Sequence, residues 1–171
     1  MCTTIELSRL LEELDETLRA EIAGLATLTS TLTPGLPPVD GDAEKMRELL
    51  VMLVKNAAHS LRQRPGVVHV ESGITHHDGS PLRNAFGATP RCGPYVYVEI
   101  SDPGIAVAAP AEPDPMNETI SSTRKRGLGF AAALGVVRRH GGVITTGRTP
   151  SGGSRLRVMM PTREALPVSA R

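Results

Sequence analysis

Met46-Arg-Glu-Leu-Leu-Val-Met-Leu-Val-Lys-Asn56-Ala57, followed downstream by Asp102-Pro-Gly104 and Gly127-Leu-Gly129, is the part of the sequence that decides the fold. Met46, Leu49, Leu50, Leu53, Val54, Ala57 and Leu61 recur at helical spacing, which predicts a helix capped by Asp40 or Asp42 and ended by Pro65-Gly66. It carries an amide, Asn56. Tyr95-Val-Tyr-Val-Glu-Ile100 reads as a strand that delivers Asp102 and Gly104 to a turn, and residues 130–139 read as a helix with Gly127 and Gly129 just before its start. An amide on a helix, an acid-plus-glycine turn after a strand and a glycine turn opening a helix together suit a nucleotide with both a base and phosphates.

Working outward, Leu7, Leu10, Leu11, Leu14 and Leu18 define an amphipathic helix, with Thr3-Thr-Ile-Glu6 matching a capping box ahead of it. Leu25-Ala-Thr-Leu-Thr-Ser-Thr-Leu32 has strand alternation and is stopped by Pro34-Gly-Leu-Pro-Pro38. Val67-Val-His-Val-Glu-Ser72 is a further strand, and the polar stretch 73–93 reads as a long surface loop. Residues 106–126 hold Pro110, Pro113 and Pro115, and their length suits a lid better than a simple connection. His140-Gly-Gly142 closes the last helix, and Val143-Ile-Thr-Thr146 and Arg155-Leu-Arg-Val-Met-Met160 form a hairpin through Pro150-Ser-Gly-Gly153. Beyond Pro161 the tail is expected to fray. Helix, strand, helix, strand, strand, helix and hairpin predict a two-layer α/β sandwich (α+β), one sheet covered on a single face by helices.

A chain of 171 residues, 40% apolar, buries one core, and a formal charge of +1 argues against nucleic acid as a partner. No apolar run approaches the ~20 residues that span a bilayer, so no direct membrane contact is expected. Cys2 and Cys92 suggest neither a disulfide framework nor a thiolate zinc site, and a bacterial-type cytoplasmic setting fits.

The segments around Asn56, Asp102 and Gly127-Leu-Gly129, with the closing hairpin, resemble the N, G1 and G2 boxes of the catalytic ATP-binding domain of sensor histidine kinases, in the gyrase, Hsp90, kinase and MutL (GHKL) superfamily. The resemblance implies the Bergerat fold, a mixed, mostly antiparallel sheet under about three helices. It implies ATP and Mg²⁺ as cofactors, with Asn56 as the Mg²⁺ ligand through its amide oxygen. Asp102 would accept a hydrogen bond from the adenine amine, Gly104 would let the backbone approach, and Ser154 would assist at the adenine edge. Gly127, Leu128 and Gly129 would meet the phosphates at the helix N-terminus, with Lys125 compensating charge. The residues also permit plainer roles: Asp102 as a turn cap before Pro103, Asn56 as an ordinary helix amide, Lys125 as a solvated base and Ser154 as a strand-start serine.

The resemblance further implies two partners, a histidine-containing dimerisation domain and a response regulator or receiver domain. None of the five histidines of this chain is placed to be the phosphoacceptor. Residues 1–20 form the amphipathic helix, suited to the end of a dimerisation or linker helix or to docking, residues 21–162 the ATP-binding domain, and residues 163–171 a flexible tail. Four departures stand out. Met52 occupies the polar position one turn before Asn56, Ala106 and Lys125 replace glycines of the G1 and G2 boxes, and residues 116–122 lack a phenylalanine. These bear on phosphate handling more than on adenine recognition, and they leave open a degenerate domain of the same fold that serves as a docking or regulatory module.

Overall fold

A computed structural model of the chain describes residues 3–61, 66–102 and 127–163. The elements run β1 (Thr3–Ile5), α1 (Leu7–Glu21), β2 (Thr27–Thr31), β3 (Val39–Gly41), α2 (Ala43–Ser60), β4 (Val67–His77), β5 (Ala85–Gly87), β6 (Gly93–Ser101), α3 (Gly127–Arg139), β7 (Val143–Arg148) and β8 (Ser154–Pro161). Six strands form one sheet in the order β2-β4-β6-β8-β7-β5, and β1 pairs with β3 apart from it. Only the β2–β4 pair is parallel, because α2 provides the crossover between them; the pairs β4–β6, β6–β8, β8–β7 and β7–β5 are antiparallel.

Register explains which face is covered. Val70 opposes Ile100, Val98 opposes Val158, and Val158 opposes Ile144, so these side chains share one face. Against them pack Leu10, Leu14 and Leu18 of α1, Leu49, Leu50 and Leu53 of α2, and Ala133 and Val137 of α3, all in one buried core. Each buried leucine contributes roughly 1.5–3 kcal/mol relative to exposure. The leucine face of α1 thus packs within the same core as α2. Three helices on one face of a mostly antiparallel sheet is the predicted two-layer architecture.

Local chemistry sets the helix ends. The Asp42 carboxylate accepts from the Lys45 backbone N–H at 3.1 Å, and that bond holds its carboxyl below the ordinary carboxylate range. At the C-terminal end of α3, Gly141 takes φ +69 and its N–H returns to the Arg138 carbonyl at 3.1 Å.

Four expectations are corrected. Thr3-Thr-Ile is not a capping box: α1 has Glu6 at its N-cap with no side-chain bond, and the threonines pair with β3. The same Thr-Thr-Ile pattern suits a strand as well as a cap, and Val39–Gly41 supplies the partner. The stretch 73–93 is not all loop. β4 continues to His77 because β6 offers a ladder as far as His77 opposite Gly93, and residues 85–87 form an edge strand on β7. Gly127 and Gly129 lie within the first turn of α3 rather than ahead of it. Chain order also persists past Pro161, since Thr162 is buried and donates to the Pro94 carbonyl, and Arg163 pairs with Asp40 at 2.8 Å.

Candidate nucleotide-binding site

Asp102 directly follows β6 and is 5% exposed. A carboxylate that deep needs hydrogen-bond donors. The Ser154 hydroxyl donates to its Oδ2, while its own N–H donates to the Ser154 carbonyl at 3.0 Å. The turn before Ser154 is built to keep it there. Thr149 Oγ1 accepts from the Gly153 N–H at 2.8 Å and donates to the Asp102 carbonyl at 3.3 Å, and Gly152 takes φ +87 to close the turn. Thr149 therefore joins the β7–β8 turn to the end of β6. Sequence reading missed it; a threonine just before Pro150-Ser-Gly-Gly153 is a turn signal, but nothing local ties it to residue 102.

Asn56 is half-buried on α2, one turn after Met52, and both line a concavity of about 620 Å³ with Leu14, Val51, Lys55 and His59. Two cations at its rim already have partners: Lys55 pairs with Glu21 at 2.7 Å and Arg47 with Glu13 at 2.5 Å. The Arg47 guanidinium, then that of Arg9, holds the Glu13 carboxyl below its ordinary range. Neither Asp102 nor Ser154 lines this concavity.

The structure therefore brings Asp102 and Ser154 together, while Asn56 lines the α2 concavity. Gly127, Leu128 and Gly129 occupy the first turn of α3, where backbone N–H groups have no intrahelical acceptor and suit an anion. Gly104 and Lys125 lie outside the described residues, as do Ala106 and the whole of the expected lid, 106–126. Among the described residues no cluster of three or more histidine, cysteine, aspartate or glutamate side chains could hold a metal. A nucleotide-bound Mg²⁺ asks for only one or two protein oxygens beside phosphates and waters, and Asn56 can offer one. The Met52 thioether is too soft to be the other.

Three of the five histidines hold hydrogen-bond partners through Nδ1. Nδ1 of His59 lies 2.8 Å from the Lys55 carbonyl, that of His69 2.9 Å from Thr29 Oγ1, and that of His140 2.8 Å from the Val136 carbonyl at the end of α3. No described helix is long and apolar enough to cross a membrane.

Residues 41–164 match the family described as histidine kinase-, DNA gyrase B-, and HSP90-like ATPase. The chain is 28% identical over 154 residues to the non-motile and phage-resistance protein of Caulobacter vibrioides, covering 86% of this chain but only 16% of that protein's length. Among solved structures it resembles a mycobacterial sensor histidine kinase, MprB, at 18% identity and TM-score 0.60, over 96% of this chain and 99% of that one. The catalytic domain of histidine kinase ThkA aligns at 19% identity and TM-score 0.58, over 95% and 96% of the two chains. Full-length ShkA in complex with AMPPNP aligns at 18% identity and TM-score 0.58, over 97% of this chain and 32% of that one. The chain belongs to the family of histidine kinase-, DNA gyrase B-, and HSP90-like ATPases, and its fold is that of their ATP-binding domain as seen in sensor histidine kinases.

Proposed function

We propose that the chain is the Mg-ATP-binding catalytic domain of a cytoplasmic two-component sensor histidine kinase. It would present the γ-phosphate to a histidine on a separate dimerisation domain, from which the phosphoryl group passes to a response regulator or receiver domain. The observation that carries this reading is the buried Asp102–Ser154 pair at the end of β6, in a chain of the ATPase family. With α1 in the shared core, residues 3–163 are proposed as one nucleotide-binding unit.

Bound Mg-ATP would supply the transferable phosphoryl group and neutralise its charge. The chain's residues would do the positioning. Asp102 would accept a hydrogen bond from the adenine amine, with the Ser154 hydroxyl fixing its rotamer. Gly104 would leave room for the base, the N–H groups of the first turn of α3, at Gly127, Leu128 and Gly129, would meet the phosphates, and Lys125 would compensate their charge. Asn56 would hold the metal through its amide oxygen. In-line attack by an outside histidine then depends on orientation more than on covalent help from this domain.

Met52 beside Asn56 favours a second reading, in which the domain keeps its fold and acts as a docking or regulatory module. Melting the chain with and without Mg-ATP, ADP and GTP separates the two, with a dye readout because the chain has no tryptophan. Ligand at 100 times its dissociation constant adds about 2.7 kcal/mol and raises the midpoint by roughly 5–10 °C. A rise confined to adenine nucleotides is expected. No shift at millimolar ATP would sink the kinase reading and leave the docking module.

A further inference from the structure

The face of the sheet opposite the helices is not bare. β4 is second in the sheet order and β5 is last, so residues 78–84 cross over β6, β8 and β7 to reach the far edge. Thr146 N–H donates to the Asn84 carbonyl at 3.1 Å where the crossing ends, and Cys92 Sγ donates to the Asp78 carbonyl at 2.8 Å where it begins. This strap explains why Tyr95, on the face without helices, is only 1% exposed: the chain folds back over it, and Arg91 N–H donates to its hydroxyl at 2.9 Å.

Beneath the strap lies a cavity of about 310 Å³ lined by Leu82 from above and by Thr75, His77, Thr145, Arg155 and Arg157 from the sheet. The register puts these strand residues on one face: Thr145 opposes Arg157, Arg157 opposes Glu99, and Thr75 opposes Tyr95. No acidic side chain is among the described lining residues. Arg157 is held from the side by Glu99 at 2.6 Å and lies 4.2 Å over the Tyr97 ring, which fixes its direction. Arg155 has no ion pair among the described residues. His77 is 6% exposed, packs edge-on against Tyr95, and its Nε2 has no hydrogen-bond partner among the described residues. Two guanidinium groups, two hydroxyls and an unpartnered buried ring nitrogen converge on a volume that fits a small molecule, and guanidinium groups match planar and tetrahedral oxyanions.

We infer that the cavity beneath the strap binds a small ligand through a phosphate or carboxylate group, gripped by Arg155 and Arg157 and hydrogen-bonded by the Thr75 and Thr145 hydroxyls. This site lies on the face of the sheet away from α1–α3 and is separate from the Asp102–Ser154 pair.

Calorimetric titration of the full chain with inorganic phosphate and, separately, malonate, at fixed ionic strength, tests it. At least one is expected to bind saturably, with the affinity weakened about tenfold in Arg155→Gln and unchanged in Asp102→Asn. Arg155 is exposed, so Arg155→Gln should keep the parent melting temperature; Arg155→Lys, which keeps charge but loses the fork, should give a smaller loss. Binding of phosphate alone assigns a phosphate ligand, and binding of malonate alone, or of both, assigns a carboxylate or a general oxyanion site. Absence of saturable binding by either probe overturns the inference, and so does binding that survives Arg155→Gln or vanishes in Asp102→Asn. Failure of the Mg-ATP melt would leave these titrations unaffected.

Discussion

The end of β6 and the exposed side of α2 handle their polar groups in opposite ways. At β6, Asp102 is buried and fixed by Ser154, which is itself fixed by a turn stitched through Thr149. On α2, Asn56 is half-buried beside Met52 over a concavity lined largely by aliphatic stems. A buried acceptor held by a network has a defined direction, whereas the Asn56 amide has a thioether, not an oxygen, one helical turn before it. On the proposed reading, the comparison sets a preorganised base-recognising end against an α2 end that offers the metal one amide oxygen. Affinity should then reside chiefly in the β6 end.

The sharpest way to break that comparison is Asp102→Asn. It replaces an acceptor oxygen by a donor facing the adenine amine, and an unmatched buried polar group costs about 3 kcal/mol, so adenine-nucleotide affinity should fall at least about 100-fold. Calorimetry with ADP measures it, and unchanged affinity would make Asp102 a turn cap. Ser154→Ala comes next. It removes one hydrogen bond to the carboxylate without inverting its polarity, so a loss of about tenfold is expected, with the same ligand order. If Ser154→Ala cost as much as Asp102→Asn, the serine would be contacting the base directly.

Much of this was legible beforehand, for reasons that can be traced. α2 announced itself because its core positions and its Asp42 cap are local, and Asp102 because a strand pattern and a Pro-Gly turn flank it. Ser154 was legible only through resemblance, since residues 102 and 154 meet through the β6–β8 ladder, which no short window contains. The strand β5 and the strap over the open face were not legible at all. Ala85–Gly87 is three residues long, and its partner Val143–Thr145 lies across α3 in sequence, so only the assembled sheet edge makes it a strand. Likewise His76-His77 reads as loop chemistry until β6 pairs with it. The glycine-rich approach to the phosphates is split: Gly127, Leu128 and Gly129 have a place at the start of α3, whereas Gly104 and Lys125 lie outside the described residues.

On the α2 side, Asn56→Ala should weaken Mg-ATP about fivefold and leave metal-free ATP within about twofold, because one metal ligand among several is lost. Paired titrations with Mg²⁺ and with a chelator measure the difference. Equal losses under both conditions would remove Asn56 from the metal site and leave it an ordinary helix amide.

The smallest expected effect is the most telling for the comparison. Met52→Asn places a second amide oxygen one helical turn before Asn56, on the same side of α2, where both residues line one concavity. The change exchanges a half-buried thioether for an amide at a rim already open to solvent, so the melting temperature of the free chain should hardly move. If the α2 side is short of one oxygen ligand, Mg-ATP affinity should rise about threefold with no change for metal-free ATP. Phosphotransfer to a supplied dimerisation domain should rise with it. If affinity stays flat with Mg²⁺ present, the weakness lies elsewhere along the phosphate path, and the contrast between the two ends of the site does not rest on Met52.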